Sequence, residues 1–292
     1  MRTNMLRILL FVGTNIAIIA LLSITFSLFG IQGLLAQNGV DLNLNSLMIY
    51  AAIIGFSGAF ISLFISKWMA KRSMQVQVIL QPIDSTETWL LNTVKRLAKQ
   101  SNIGMPEVGI FQSHSPNAFA TGWNRNNALV AVSTGLIESM NKDELEAVLA
   151  HEVAHIANGD MITMTLLQGV MNTFVVFLSR VIGHTVDRVI FKVERGHGPA
   201  FWIVSIIAEV ILGVLAMTIT MWFSRHREYR ADAGAAKLVG KHKMRAALMR
   251  LQASQTGPDM PDEMAAFAIN AGKIHKLFSS HPPLEQRIKA LE

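Results

Sequence analysis

Cysteine is absent from the 292 residues. That excludes disulfides and thiolate metal sites, so any bound metal must be held by His, Asp or Glu. Charge is also scarce: 16% of residues are Asp, Glu, Lys or Arg, against about 25% in an ordinary soluble domain. With 51% hydrophobic residues, the deficit points to a bilayer as part of the solvent. No basic tract is interleaved with exposed aromatics, so the net charge of +6 needs no nucleic-acid partner. Lys and Arg instead cluster beside apolar runs, where they commonly anchor membrane proteins. Internal repeats and low-complexity segments are lacking too.

What is present begins with four apolar runs. Ile8 to Phe29 and Ser46 to Ser66 carry no charge, nor does Met161 to Ser179, and Pro199 to Ser224 is broken only by Glu209. Each approaches the roughly 20 residues that cross a hydrocarbon core as a helix. The first run is longer than the apolar stretch of a secretory signal, so it reads as an uncleaved anchor even though Leu34-Leu35-Ala36 imitates a cleavage site. Arg2 and Arg7 precede the first run, and Lys67, Lys71 and Arg72 follow the second; between them Asp41 is the charge. The positive-inside rule then makes a hairpin with both flanks in the cytoplasm. The segment between the later runs holds Arg180, Arg188, Lys192 and Arg195 against Asp187 and Glu194. Either that pair spans despite its basic loop, or it inserts as a shallow hairpin. Both versions return the chain to the side it left. The expected division is a transmembrane hairpin (1–70), a first cytoplasmic part with a small sheet (71–160), a second hydrophobic hairpin (161–224), and a second cytoplasmic part (225–292).

In the polar parts, Asp84 with Glu87 reads as a helix start, followed by the apolar stripe Trp89, Leu90, Val94 and Leu97. Val108–Phe111, Ala118–Ala120 and Ala128–Val132 read as strands separated by turn-rich Ser113–Asn117 and Asn124–Asn127. Asn141 with Glu144 opens a helix that buries Leu145, Val148 and Leu149 and stops near Asn158-Gly159. The fold class is mainly α, an integral membrane protein with a small β-sheet.

That last helix carries His151-Glu152-Val153-Ala154-His155. Histidines four residues apart project from one helix face and reach a single ion. Glu152, about 100° around the helix, is offset enough to hold a water rather than ligate. Two neutral imidazoles leave zinc its positive charge, and the carboxylate takes the proton of the attacking water and returns it to the leaving amine. Met161 stands where a metzincin has its third His, so the third ligand lies elsewhere. Glu194 sits in a remote loop and Glu209 inside an apolar run. Glu228 and Asp232, in Glu228-Tyr229-Arg230-Ala231-Asp232, share a helix face directly after the fourth run. Glu228 can ligate while Asp232 accepts a hydrogen bond from a ligand imidazole. The bland alternative is a solvated charge cluster with Arg225, Arg227 and Arg230. His114, His184, His197, His226, His242 and His275 lack ligand spacing and read as surface or packing residues.

These motifs, with Pro116-Asn117-Ala118-Phe119-Ala120, the continuation Ile156-Ala157-Asn158-Gly159-Asp160, and Ser280-His281-Pro282-Pro283 near the C-terminus, resemble the HtpX family of bacterial membrane zinc proteases, relatives of the type I CAAX prenyl endopeptidases. The resemblance implies a gluzincin-like metalloprotease domain with one zinc ion per chain on His151, His155 and Glu228. It implies Glu152 as general base and Asp232 behind the ligands. It also implies a multi-pass protein of the bacterial cytoplasmic membrane, its active site facing the cytoplasm, that degrades misfolded or damaged membrane proteins under stress. Asn117, Ala118, Phe119 and Ala120 correspond to an edge strand that binds substrate. His281 and Arg287 correspond to residues near the metal that stabilise the oxyanion; alone, His281 before two prolines reads as a helix cap. A CAAX-type processing protease and a scaffold or chaperone held together by zinc are the competing readings, and a transporter is the weakest.

Overall fold

The computed structural model describes residues 42–194, 196–255 and 281–292. The first apolar run, Arg2, Arg7, Asp41, Arg195, His275 and Ser280 lie outside the described residues. The chain divides into two compact units, one of residues 1–60 and 165–220, the other of 61–164 and 221–292.

In the first unit the apolar runs that lie within the described residues are helical. Helix α1 (Leu44–Ser73) begins there, as part of a 30-residue helix. Two further helices, Asp160–Val189 and Pro199–Val239, supply the rest. All three are long and apolar enough to cross a membrane. Gly55 faces the second of them so closely that a Cβ there would meet the Thr173 amide at 2.6 Å, and a Cβ on Gly169 would meet the Phe56 ring at 2.6 Å. Small residues let the two backbones approach, as in packed membrane helices. Leu44, Met48, Ala51 and Phe177 are buried between them. By contrast Trp202, Ile206, Val210 and Leu215 are more than half exposed, the arrangement of a surface meant for lipid.

The second helix runs well past Ser179, so Arg180, Asp187 and Arg188 are helical and the connecting loop shrinks to 190–198. Arg180 Nη2 lies 3.1 Å from Glu209 Oε1. The charge interrupting the fourth run is thus paired with one that follows the third.

In the second unit, β1 (Gln77–Val78) follows α1, then α2 (Ser85–Gln100), β2 (Glu107–Phe111), β3 (Ala118–Asn124) and β4 (Asn127–Ser133). A short helix α3 (Thr134–Ser139) leads to α4 (Lys142–Asn158). Helices α5 (Asp160–Val189) and α6 (Pro199–Val239) follow, and α7 (Lys241–Gln255) and α8 (Leu284–Ala290) are the last of the described elements. The sheet order is β1-β2-β4-β3. β2 runs parallel to β4, and the other pairings are antiparallel. β3 is therefore an edge strand among the described residues. Leu90, Val94 and Leu97 of α2 are fully buried with Leu145, Val148 and Leu149 of α4 and the inward residues of β4. The helix-start signals hold. Asp84 accepts from the Glu87 amide, and Asn141 and Glu144 form a reciprocal capping box. β1 and α3 are too short to have left a periodic signal.

Candidate metal centre

α4 ends at Gly159, whose φ of 70° stops the helix in a left-handed cap. The turn before this cap carries His155, and Asp160 begins α5 directly after it. His151, Glu152 and Asp160 are buried. From α6, Glu228 and Asp232 are each only 2% exposed. All these residues belong to the second unit.

The two ring nitrogens His151 Nε2 and His155 Nε2 are 3.1 Å apart. Glu228 brings Oε1 to 3.2 Å from His155 Nε2 and Oε2 to 3.5 Å from His151 Nε2. Four-coordinate zinc, with bonds of about 2.0–2.2 Å, sets its donors about 3.3 Å apart. With a carboxylate at Nδ1 of each ring, both Nε2 lone pairs face inward, where they converge on a cation. Among the described residues, this is the group of three whose ligand atoms lie within 4.8 Å of one another. The donor set fits a metal.

Each histidine is held from behind. His155 Nδ1 lies 2.7 Å from Asp160 Oδ2. His151 Nδ1 lies 2.9 Å from Asp232 Oδ1, though off the line that a full ring N–H···O bond requires. A carboxylate at Nδ1 fixes the tautomer and leaves Nε2 for the metal. Burial works to lower the pKa of both rings, but the carboxylates outweigh it. Asp160 and Glu228 raise His155 to about 10, and Asp232 and Glu228 raise His151.

Arg287 of α8 closes the far side. It donates from Nε to Asp232 Oδ2 at 2.8 Å and from Nη2 to Oδ1 at 2.7 Å, with Nη1 3.4 Å from Glu228 Oε2. His281 Nδ1 lies 2.6 Å from Glu228 Oε2. A cleft of about 520 Å³ opens beside these groups, lined by His151, Glu152, His281 and Arg287, by Asn117 and Ala118, and by apolar side chains of α7.

The structure thus brings together His151, Glu152, His155, Glu228, Asp232, His281, Arg287, Asn117 and Ala118. Phe119 and Ala120 continue the edge strand but do not line the cleft, and the Phe119 ring packs at a tilt against Phe111, with centroids 5.5 Å apart. Glu194 and Glu209 belong to the other unit. His184 and His197 also lie there, with ring centroids 5.5 Å apart. Asp160 is the site residue that the sequence reading left without a role. The signal for it was the left-handed glycine, which turns a carboxylate five residues after His155 back onto the ring.

Residues 84–292 match the model of peptidase family M48. Over 288 residues the chain is 70% identical to Protease HtpX of Pseudoalteromonas atlantica, covering 99% of each. It is 62% identical over 291 residues to Protease HtpX of Thioalkalivibrio sulfidiphilus, again 99% of each. Among solved structures, S. mikatae Ste24p superposes with a TM-score of 0.63 at 20% identity. That alignment covers 94% of this chain, which spans 65% of that protein's length. The likeness to it is one of fold.

Proposed function

Because the chain belongs to peptidase family M48 and is a membrane metalloendopeptidase, we propose that it holds one zinc ion on His151, His155 and Glu228 and cleaves membrane proteins, misfolded or damaged ones in particular. The reading places it in a bacterial cytoplasmic membrane with the cleft on the cytoplasmic side, and parses it as a hairpin (1–70), two protease parts (71–160 and 225–292) and an intervening hairpin (161–224). The observation that carries it is the convergence of two Nε2 atoms and the Glu228 carboxylate within 3.1–3.5 Å.

When bound, zinc supplies Lewis acidity, polarising the scissile carbonyl and making water a competent nucleophile near neutral pH. Glu152, in the same cleft as His151, takes the proton of the attacking water and delivers it to the leaving amine. Asp160 and Asp232 keep both imidazoles in the ligating tautomer. His281, at the cleft wall with its side chain 62% exposed, reaches the carbonyl oxygen as charge builds there. Arg287 has two of its N–H groups engaged by Asp232 and so adds positive potential from fixed geometry. The backbone of Asn117–Ala120 offers an open strand edge to an extended peptide.

The test is purified protein in detergent, parent against Glu152→Gln, with a membrane-protein substrate and mass spectrometry of the products. The variant should retain one zinc and lose at least about a hundredfold in cleavage rate, the scale of a general base. Cleavage at the parent's rate would overturn the mechanism.

A further inference from the structure

The most exposed large apolar side chains among the described residues are Leu80 and Ile83, each 87% exposed. They do not belong to the three long apolar helices but to the loop 79–84 between β1 and α2. Large apolar groups gathered on a surface mark an interaction site. A hollow of about 540 Å³ adjoins the loop, lined by Leu80 and Ile83 with Val78 of β1, Ile110 of β2 and Ile137 of α3. Its charged lining residues are Asp84, Glu87 and Glu138, and among the described residues no Lys or Arg lines it.

β1 adds a strand edge to this hollow. Among the described residues it pairs with β2 alone, and the Ile79 amide donates to the Val108 carbonyl at 2.9 Å. Antiparallel pairing alternates, so Val78 turns its N–H and C=O away from β2. A peptide strand laid there gains main-chain hydrogen bonds beside the apolar lining. Charge selects the occupant. A loop that dips into lipid carries Lys or Arg for the headgroups, whereas the carboxylates here repel them and favour a peptide with basic flanks. The catalytic cleft is a separate place, with α3 between: Leu136 lines the cleft, while Thr134, Ile137 and Glu138 line the hollow. Both belong to the second unit. A helix is about 10 Å across, so one unfolded chain can occupy the two together.

We propose that this hollow is a second substrate-binding site, which captures an apolar polypeptide segment flanked by Lys or Arg and tethers it while another part of the same chain is cut at the metal centre. The proposal rests on the protease reading above and deepens it. A folded protein buries such a segment and a misfolded one displays it, so capture there selects the misfolded chain before any bond is broken.

The experiment uses the full-length, zinc-loaded protein in detergent with two soluble peptides. One is a cleavable segment alone. The other joins it to a Leu/Ile-rich segment flanked by Lys, through a Gly/Ser linker of about ten residues that reaches about 17 Å. Leu80→Ser with Ile83→Ser removes the apolar contacts, and Glu138→Lys reverses one charge. For the joined peptide the double variant should raise KM at least about tenfold at unchanged kcat, and Glu138→Lys about threefold. The short peptide should be cut alike by all. Fluorescence anisotropy of the Lys-flanked segment, measured on Glu152→Gln with and without the two serine substitutions, reads binding without cleavage. Equal binding by those two proteins, with the peptides still cut by the parent, sinks the second site alone. If the parent cuts neither peptide, the protease reading fails and the tethering role fails with it, even where the segment binds. The chain lacks cysteine, so one environment-sensitive dye can be placed at Ile83→Cys. Adding the segment should shift its emission to the blue. A dye already blue-shifted in liposomes without peptide would give the loop to lipid, and a shift that follows protein concentration would give it to a second copy; either result would overturn the proposal.

Discussion

Replacing Arg287 with Met tests whether the centre is held together by its buried ion pairs. The substitution keeps a long side chain but removes two N–H···O bonds to Asp232, at 2.8 and 2.7 Å, and the 3.4 Å contact with Glu228. The side chains of Arg287, Asp232 and Glu228 are 7%, 2% and 3% exposed, so water cannot replace the lost partner. Removing one member of a buried pair costs about 3–5 kcal/mol, chiefly because the remaining charge is stranded. For a unit of this size, about 2–4 °C of melting temperature accompanies each kcal/mol. The metal-free variant should therefore melt roughly 6–20 °C below the parent in detergent. Arg287→Lys keeps the charge but not the planar fork and should fall between them. Arg287→Met with Asp232→Asn should recover part of the loss, since the stranded carboxylate is gone. Differential scanning fluorimetry of the four proteins, with chelator present, reads all of this. A single variant melting with the parent, or a double variant less stable than the single, would refute the account.

Asp160→Asn should weaken zinc binding about 10- to 100-fold, the usual cost of losing a carboxylate behind a ligand imidazole, as read by chelator competition; unchanged affinity would dismiss the role given to Asp160. Acidity should act on the same centre with a defined sign. His155 is raised from 6.5 to about 10, so its protonated form stabilises the metal-free protein fully below about pH 6.5, a contribution lost as pH climbs through about 10. Zinc needs the neutral ring, so its affinity should rise about tenfold per pH unit for each proton displaced across that window, and a flat zinc titration from about pH 6 to 9 would contradict the carboxylate cage. Gly159→Ala should destabilise by about 1–2 kcal/mol on backbone grounds alone, since φ is 70° and no atom lies within 4 Å of the added Cβ; Gly159→Asn should cost less, and equal melting of all three proteins would mean the cap has relaxed.

What could be read from the sequence was local or compositional. The His151–His155 spacing is a helix property, so both ligands were visible once the capped helix was recognised. Glu228 and Asp232 were reachable because a hairpin must return the chain to the side it left. Asp160 was harder: its partnership with His155 crosses a helix break, and spacing arguments assume an unbroken helix. The Arg180–Glu209 pair was missed for a related reason. An apolar run marks how long a helix stays in lipid, not where it ends, and α5 carries Arg180 beyond its run as part of the same helix. The pairing of Trp123 with Phe64 needs the hairpin's register and the direction of α1 together, neither of which has a sequence period.

The charges of the centre explain why the imidazoles behave as they do. Glu152, Asp160, Glu228 and Asp232 are buried together, while Arg287 and the half-buried Arg227 are the guanidiniums beside them. Carboxylates thus outnumber guanidiniums four to two around the ligand atoms, an excess of acidic groups where Glu228 and Asp232 are only 2% exposed. Such an excess is costly unless something positive neutralises it. Without metal, His151 and His155 hold protons more tightly than an ordinary histidine; with a divalent ion, the same two charges arrive at the point where the Nε2 atoms converge. Proton and metal are therefore alternative occupants of one electrostatic vacancy built by the carboxylates. The residues behind the ligands, Asp160 and Asp232, then do more than orient rings: they set the charge that the ion must match, which is why neutralising either one should weaken binding even where the ring geometry survives.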